Sequence, residues 1–128
     1  MPRILVAGEL NADLVMSGLP TLPILGRELV GDDFQIVMGS SSAITAARLS
    51  QLGADVDFVG IIGNDNLGEF VLTELQNFGV GTSNISVVSE RTGVTIALTY
   101  AEDRALLTFP GTIATYTGDN ITAELLPA

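Results

Sequence analysis

The sequence predicts an α/β protein in which helices flank a parallel sheet and a second, smaller β layer projects from its edge. Three short apolar runs have the composition of buried parallel strands: residues 4–7, 57–62 and 85–88. Two helix-like segments separate these runs, and strand–helix–strand order favours right-handed crossovers in one sheet. Further strand-like segments fall outside this alternation and supply the smaller β layer: residues 11–16, 29–38 and 92–109.

The two helices are predicted from their ends as well as their apolar positions. The first covers residues 39–52, because serines at its start are favoured N-cap residues and Gly53 is a favoured residue just past a helix end. The second covers residues 66–78, which place large apolar side chains on one face. Asp65 and Asn66 compete to cap it, since both side chains can accept from the first backbone N–H groups.

The remaining segments are extended or turn-forming. Residues 11–16 and 29–38 predict strands, the latter with apolar side chains at alternate positions. Residues 92–109 predict a hairpin around the polar turn Ala-Glu-Asp-Arg. Asp119 predicts the cap of a last helix that ends at Pro127.

The composition excludes several classes of function. The net charge is −10 and all five positive charges are arginines, so we expect no binding to nucleic acid or to anionic membranes. The chain has no histidine and no cysteine, which excludes Ser-His-Asp hydrolysis, a His-ligated zinc site and disulfides within it. No apolar run reaches the length of a membrane span, and no cleavable leader precedes the first strand. We therefore expect a cytoplasmic protein.

Asn11 and Asp13 are the strongest candidates for ligand contacts. Residues two apart on an extended segment point to the same face, so both side chains can reach one ligand. A carboxylate that accepts from two hydroxyls, beside an amide that donates and accepts, suits a carbohydrate. The alternative is a turn-forming asparagine followed by a solvated aspartate.

Two glycine-containing segments are further candidates. In the run 39–42, Gly39 lets backbone approach a ligand, and the helix start offers N–H donors; the alternative is a plain serine N-cap. The run 60–68 has the spacing Gly-x-x-Gly-x-x-x-x-Gly, which differs from a dinucleotide fingerprint. We therefore interpret its glycines as turn and close-packing positions.

The order of these motifs resembles the ribokinase-like (PfkB) carbohydrate kinases. The opening Gly8-Glu9-Leu10-Asn11-Ala12-Asp13 is similar to that family's strand followed by Asn-x-Asp. The Gly-rich helix start at 39–43 and the Gly-x-x-Gly-x-Asp-x-x-Gly run at 60–68 follow in the family's order. Phe78-Gly79-Val80, Arg91-Thr92-Gly93-Val94 and Gly111 then stand at the expected distances.

The resemblance implies a Rossmann-like α/β domain covered by a β-sheet lid, with lid segments at about 11–38 and 92–109. It implies an enzyme that transfers the γ-phosphoryl group of ATP, with Mg²⁺, to a hydroxyl of a sugar. The family's nucleotide site and catalytic base lie around a downstream Gly-Ala-Gly-Asp motif, which this sequence lacks. We therefore expect residues 1–128 to be the N-terminal, substrate-binding part, without catalytic residues, without a bound cofactor of their own and inactive alone.

By resemblance the sugar contacts fall on six residues: Asn11, Asp13, Gly39, Ser40, Ser41 and Thr95. Thr95 is included because the family closes one face of the 92–109 hairpin over the sugar; high β propensity is the alternative explanation of this threonine. The sequence departs from the family at Ser40, where a second glycine is usual, and at Ile44, where many members carry an asparagine that touches the sugar.

Two rival functions stay open at this level. The chain is alternatively a non-catalytic sugar-binding or dimerisation module that uses only the lid, whereas a dinucleotide-binding oxidoreductase is disfavoured by the failed fingerprint. We also expect a homodimer, formed through the lids or through an exposed sheet edge, because alternating strands leave one lid face to be covered.

Overall fold

The computed structural model describes residues 2–126, which form two β-sheets and the helices that connect them. The strands are β1 (Arg3–Ala7), β2 (Asn11–Ser17), β3 (Asp33–Met38), β4 (Asp55–Gly63), β5 (Gly81–Val88), β6 (Gly93–Thr99) and β7 (Arg104–Phe109). The helices are α1 (Ser41–Gln51), α2 (Asn66–Asn77) and the short α3 (Thr112–Thr115), followed by a 3₁₀ turn at Ala123–Leu125. The predicted alternation of strands and helices is confirmed.

The first sheet is parallel and has the strand order β1–β4–β5. Strand β4 is central, and its side chains Val56, Phe58 and Ile62 are buried in the main hydrophobic core. Helices α1 and α2 contribute small and branched residues to the same core: Ala43, Ala46, Val71 and Leu75. This layer therefore owes its stability to apolar burial between the sheet and the two helices.

The second sheet, here called the lid sheet, has the order β3–β2–β6–β7. Its outer pairs are antiparallel, whereas the central pair β2–β6 is parallel. Because side chains alternate along each strand, the register separates two faces. The polar lid face carries Asn11, Asp13, Gln35, Thr95 and Thr108. The apolar lid face carries Phe34, Ile36, Ile96, Leu107 and Phe109, all of which are exposed.

Several predicted boundaries are wrong, each for a local reason. Strand β3 begins at Asp33 rather than at residue 29, because the backbone N–H of Asp32 donates a hydrogen bond to Ser17 O, at the end of β2. No side chain caps α1, whose serines bind elsewhere, as described below. The last helix capped by Asp119 is replaced by α3 and the 3₁₀ turn, and its predicted end at Pro127 lies outside the described residues.

The glycines of residues 60–68 are close-packing positions, as predicted. A Cβ on Gly60 would lie 2.7 Å from Gly8 O, and one on Gly63 would lie 2.6 Å from Thr92 N. Asp65, not Asn66, is the N-cap of α2, with its Oδ1 accepting from Gly68 N at 2.9 Å. The run therefore serves the junction between β4, α2 and the lid sheet.

Within residues 2–126, no helix combines the length and the apolarity needed to cross a bilayer.

Candidate functional site

Asn11 and Asp13 lie side by side on the polar lid face, near the start of β2. Asn11 is buried and Asp13 is half-buried, and Asn11 Nδ2 donates to Asp13 Oδ1 at 3.2 Å. The amide is thereby oriented by the carboxylate, which keeps lone pairs for further donors. The pair therefore presents hydrogen-bonding groups that could receive hydroxyl donors.

Gly39 lies against this pair on the connection from β3 to α1. Its N–H donates to Asn11 O at 2.9 Å. A Cβ at this position would lie 2.5 Å from Asp13 Oδ1 and 2.8 Å from Asn11 Oδ1. Only glycine leaves room for both side chains, so the backbone of residue 39 forms a wall of the site.

The serines that follow are used differently from one another. Ser40 has φ 75° and directs its hydroxyl to Glu9 O at 2.6 Å, and Ser42 donates to the same carbonyl at 2.9 Å. The two hydroxyls also lie 2.8 Å apart. These bonds join the β1–β2 connection to the start of α1, which explains why neither serine caps the helix. Ser41, the first residue of α1, is exposed.

Thr95 lies next to Asp13 across the parallel β2–β6 pairing, and Thr108 lies next to Thr95 on β7. The two threonine hydroxyls share a hydrogen bond of 2.9 Å. Asp13, Thr95 and Thr108 therefore form one polar row across three strands. Thr108 does not stand out in the sequence, because its place in this row depends on the β6–β7 register, which can be read outward from the hairpin turn.

The electrostatics of the site centre on Asp13. Partial burial raises the pKa of its carboxyl, while the hydrogen bond from Asn11 and the charge of Arg104 act in the opposite direction without cancelling the shift. Among residues 2–126 the one salt bridge joins Arg3 to Asp57, at 2.6 Å, so Asp13 has no ion-pair partner there. A ligand that donates hydroxyl hydrogens to this carboxylate would replace the solvation lost by burial.

The site brings together Asn11, Asp13, Gly39 and Thr95 from three separate segments of the chain. Ser40 adjoins them through Gly39, but its hydroxyl is engaged by Glu9 O. In the part of the chain that the structure describes, no three His, Cys, Asp or Glu side chains converge as a metal site would require. The groups that remain free to face a ligand are the Asp13 carboxylate and the Asn11 amide, which can accept and donate hydrogen bonds.

Comparisons with known proteins identify the family of the chain. The model of the pfkB family carbohydrate kinases matches residues 1–126. Ribokinase of Haemophilus influenzae is 37% identical over 90 residues, covering 70% of this chain and 29% of that protein. Ribokinase of Bacillus subtilis is 32% identical over 112 residues, covering 87% of this chain and 38% of that protein.

Among solved structures, Arabidopsis thaliana ribokinase complexed with ribose and ATP superposes with a TM-score of 0.77 at 26% identity. The superposition covers 87% of this chain and 36% of that one. The chain thus spans about a third of the length of the relatives that it matches.

Proposed function

This chain belongs to the pfkB family of carbohydrate kinases, and from that premise we propose that residues 1–128 are the sugar-binding part of an ATP-dependent kinase. Asn11 and Asp13 hold hydroxyl groups of the sugar, the backbone at Gly39 packs against it, and Thr95 lies at its edge. Ser40 and Ser41 add contacts from the start of α1, chiefly through backbone N–H groups, because the Ser40 hydroxyl is already bonded.

The observation that supports this proposal most strongly is the half-buried carboxylate of Asp13. Its burial disfavours the charged form, and no cation pairs with it among the described residues. Sugar hydroxyls are suitable donors because a hydrogen bond to a charged acceptor is stronger than one between neutral groups. Asn11 Nδ2 and Oδ1 add a donor and an acceptor beside it.

The reaction proposed for the whole enzyme is transfer of the γ-phosphoryl group of ATP to one sugar hydroxyl. The hydroxyl oxygen forms a bond to the γ-phosphorus, the bond from that phosphorus to the β–γ bridging oxygen breaks, and ADP leaves. The hydroxyl proton passes to a base that we assign to residues outside this chain. The Asn11–Asp13 pair contributes by holding the sugar in one orientation, which reduces the entropic part of the barrier.

We assign ATP and Mg²⁺ to the remainder of the enzyme. The Arabidopsis thaliana structure is a complex with ribose and ATP, and the present chain corresponds to about a third of it. The sequence contains no Gly-Ala-Gly-Asp motif, and residues 2–126 lack a cluster of metal ligands. We therefore expect the 128-residue polypeptide alone to bind no nucleotide and to phosphorylate no sugar; ATP consumption by it in the presence of D-ribose or D-fructose would contradict this assignment.

A matched pair of variants tests the sugar site. Asp13→Ala removes a half-buried carboxylate, whereas Asp33→Ala makes the same change of charge at an exposed position of the same sheet. A charge-assisted hydrogen bond contributes about 1.5–3 kcal/mol, so Asp13→Ala should weaken sugar binding at least about tenfold. Calorimetric titration of the full-length gene product with D-ribose and D-fructose measures this.

The outcomes separate the proposal from its rival. Equal sugar affinity of Asp13→Ala and Asp33→Ala removes Asp13 from the site. Sugar binding by the full-length product without ATP-dependent phosphorylation favours the non-catalytic sugar-binding module instead.

We also propose that the protein forms a homodimer through the apolar lid face. Its five large apolar side chains are 40–56% exposed. The half-buried Leu14 of β2 lies between Ile36 and Ile96 in the register, so one apolar row crosses all four strands. An apolar patch with this degree of exposure favours burial against a partner, and a two-fold contact is the commonest solution.

The neighbouring residues Leu106 and Leu107 provide the control, because they point to opposite lid faces and are both exposed. Leu107→Asp should convert the dimer to a monomer at micromolar concentration, whereas Leu106→Asp should not. Sedimentation velocity measures the two states, and a monomeric parent protein would refute the proposed dimer.

A further inference from the structure

Asp65 makes three hydrogen bonds that connect two parts of the fold. Its Oδ1 accepts from Gly68 N at 2.9 Å, which is the N-cap bond of α2. The same oxygen accepts from Thr92 Oγ1 at 2.6 Å, and Oδ2 accepts from Thr92 N at 2.9 Å. The last two bonds exceed what a helix cap requires. One side chain therefore joins the start of α2 to the residue that precedes β6.

Thr92 is itself held from two sides. It is 2% exposed, and its hydroxyl accepts from Gly63 N, at the end of β4, at 2.9 Å while donating to Asp65. The hydroxyl thus uses its donor and an acceptor lone pair inside the protein, where an unpaired group would be costly. The rotamer and the backbone position of Thr92 are fixed relative to the parallel sheet.

A second buried threonine fixes the other end of the β6–β7 hairpin. Thr112 is 1% exposed; its hydroxyl accepts from Gly93 N at 3.2 Å, and its N–H donates to Arg91 O at 2.9 Å. We call Gly63, Asp65, Thr92, Gly93 and Thr112 the hinge cluster, because the hairpin joins the α/β layer through these residues.

The hinge cluster leads directly to the site. Gly93 is the register partner of Asn11, and Thr95 is the register partner of Asp13. Strand β6 therefore supports the strand that carries the Asn11–Asp13 pair. A displacement at Thr92 moves β6, and β2 moves with it, since the two strands are hydrogen-bonded along their lengths.

We propose that Asp65 is a positioning residue that acts through Thr92 to hold the lid sheet, and with it Asn11 and Asp13, in the sugar-binding geometry. This role rests on the proposed function, because it assigns a purpose to an alignment of the sugar-binding pair. Its chemistry requires a carboxylate: only an acceptor at both oxygens can receive the Thr92 hydroxyl, the Thr92 N–H and the Gly68 N–H together.

Two substitutions separate positioning from capping. Asp65→Asn keeps the shape of the side chain and can still cap the helix, but its NH₂ group replaces one of the two accepting oxygens and therefore faces an N–H or O–H donor that it cannot bond. Asp65→Ser also caps α2, but its side chain is too short to reach Thr92. Both variants should retain α2 and lose the link to the hairpin. Asp103→Asn is the control, because it makes the same change of charge at the exposed far turn of the same hairpin.

Hydrogen–deuterium exchange of the full-length protein without ligand provides the first measurement. Positioning predicts faster exchange at residues 92–95 and 11–13 in Asp65→Asn and Asp65→Ser, with little change at residues 69–76 of α2. A purely structural cap would instead speed exchange within α2, and that result would overturn the proposal. This measurement uses no sugar, so it stands even if the proposed function fails.

Steady-state kinetics provide the second measurement. Asp65→Asn should raise the KM for the sugar at least about tenfold, a weakening comparable to the loss of one charge-assisted hydrogen bond. The KM for ATP should stay unchanged, as should both constants of Asp103→Asn. Thr92→Val should behave like Asp65→Asn and Thr92→Ser like the parent. An unchanged sugar KM in Asp65→Asn, beside an active parent enzyme, would overturn the proposal.

Discussion

Gly39→Ala introduces one methyl group at the point where the backbone meets Asn11 and Asp13, the pair proposed to bind sugar. The new Cβ would lie 2.5 Å from Asp13 Oδ1, 2.8 Å from Asn11 Oδ1 and 2.9 Å from Asp13 Cγ. Ordinary contact begins at 3.4 Å, so the carboxylate oxygen would have to move by about 0.9 Å. Gly39 is not among the glycines with positive φ, so the effect of the substitution is one of space rather than backbone conformation.

The size of the effect follows from that displacement. A displacement of this size breaks a hydrogen bond between the sugar and Asp13, and the loss of one charge-assisted hydrogen bond costs about 1.5–3 kcal/mol. We therefore expect sugar affinity to fall by about ten- to a hundredfold. Overpacking of a filled site also destabilises the fold by about 1–3 kcal/mol, but the carboxylate closest to the new methyl group belongs to the half-buried Asp13, which can turn outward, so the lower end is expected.

Calorimetric titration with D-ribose and D-fructose measures the affinity of Gly39→Ala, and thermal unfolding measures its stability. The double variant Gly39→Ala/Asp13→Ala provides the internal control, because removal of the carboxylate also removes the closest clash. The stability cost of Gly39→Ala should be smaller in the Asp13→Ala background than in the parent. Equal costs in both backgrounds, or parental sugar affinity of Gly39→Ala, would refute the steric reasoning.

Three further predictions concern charge and packing. Burial raises the pKa of Asp13, so this carboxyl contributes most to the free energy of unfolding below about pH 4, the pKa of the unfolded state, and the contribution is lost as pH rises through the folded pKa. Asp13→Asn should therefore unfold at a higher temperature than the parent at pH 7. A lower unfolding temperature would contradict the direction of the shift. Partial burial raises the pKa of Asp65, but the hydrogen bonds from Thr92 and Gly68 and the charge of Arg91 outweigh burial and lower the pKa overall. The loss of unfolding free energy in Asp65→Asn should therefore be full at pH 7 and should shrink as pH falls below about 4. Denaturant titrations at both pH values measure this loss. Phe58→Ala removes a fully buried ring from β4 and should cost about 3–5 kcal/mol of unfolding free energy, whereas a cost under about 1 kcal/mol would show that the core collapses around the gap.

Much of the architecture could be predicted from the sequence because its signals are local. The apolar runs and the glycines after each helix located β4, α1 and α2, and Gly53 and Gly79 indeed have positive φ. Sequence-based prediction was weaker where pairing decides an element's length. Strand β5 runs from Gly81, well before the apolar run at 85–88, because hydrogen bonding along β4 extends the strand through polar residues.

The candidate site was only partly predictable. Asn11 and Asp13 could be selected from an alternation within one strand, whereas their neighbours depend on registers between distant segments. The prediction of a serine cap on α1 was wrong because the hydroxyls of Ser40 and Ser42 both donate to Glu9 O instead. That carbonyl lies more than thirty residues earlier in the chain. The role of Asp65 was anticipated only as a helix cap, since its contact with Thr92 joins residues 27 apart in the sequence.

The parallel pairing of β2 with β6 has a consequence for how the chain folds. Asn11 pairs with Gly93, so the centre of the lid sheet closes only after the residues of β4, α2 and β5 have been synthesised. Until then β2 and β3 can form a hairpin, but one edge of β2 remains unpaired. Contacts so distant in sequence slow folding, and an unpaired strand edge is open to aggregation while it waits. We infer that the parallel layer folds first and that docking of β6 is a late step. During synthesis, the strand that carries Asn11 and Asp13 therefore keeps one edge unpaired until residues 93–99 have been made.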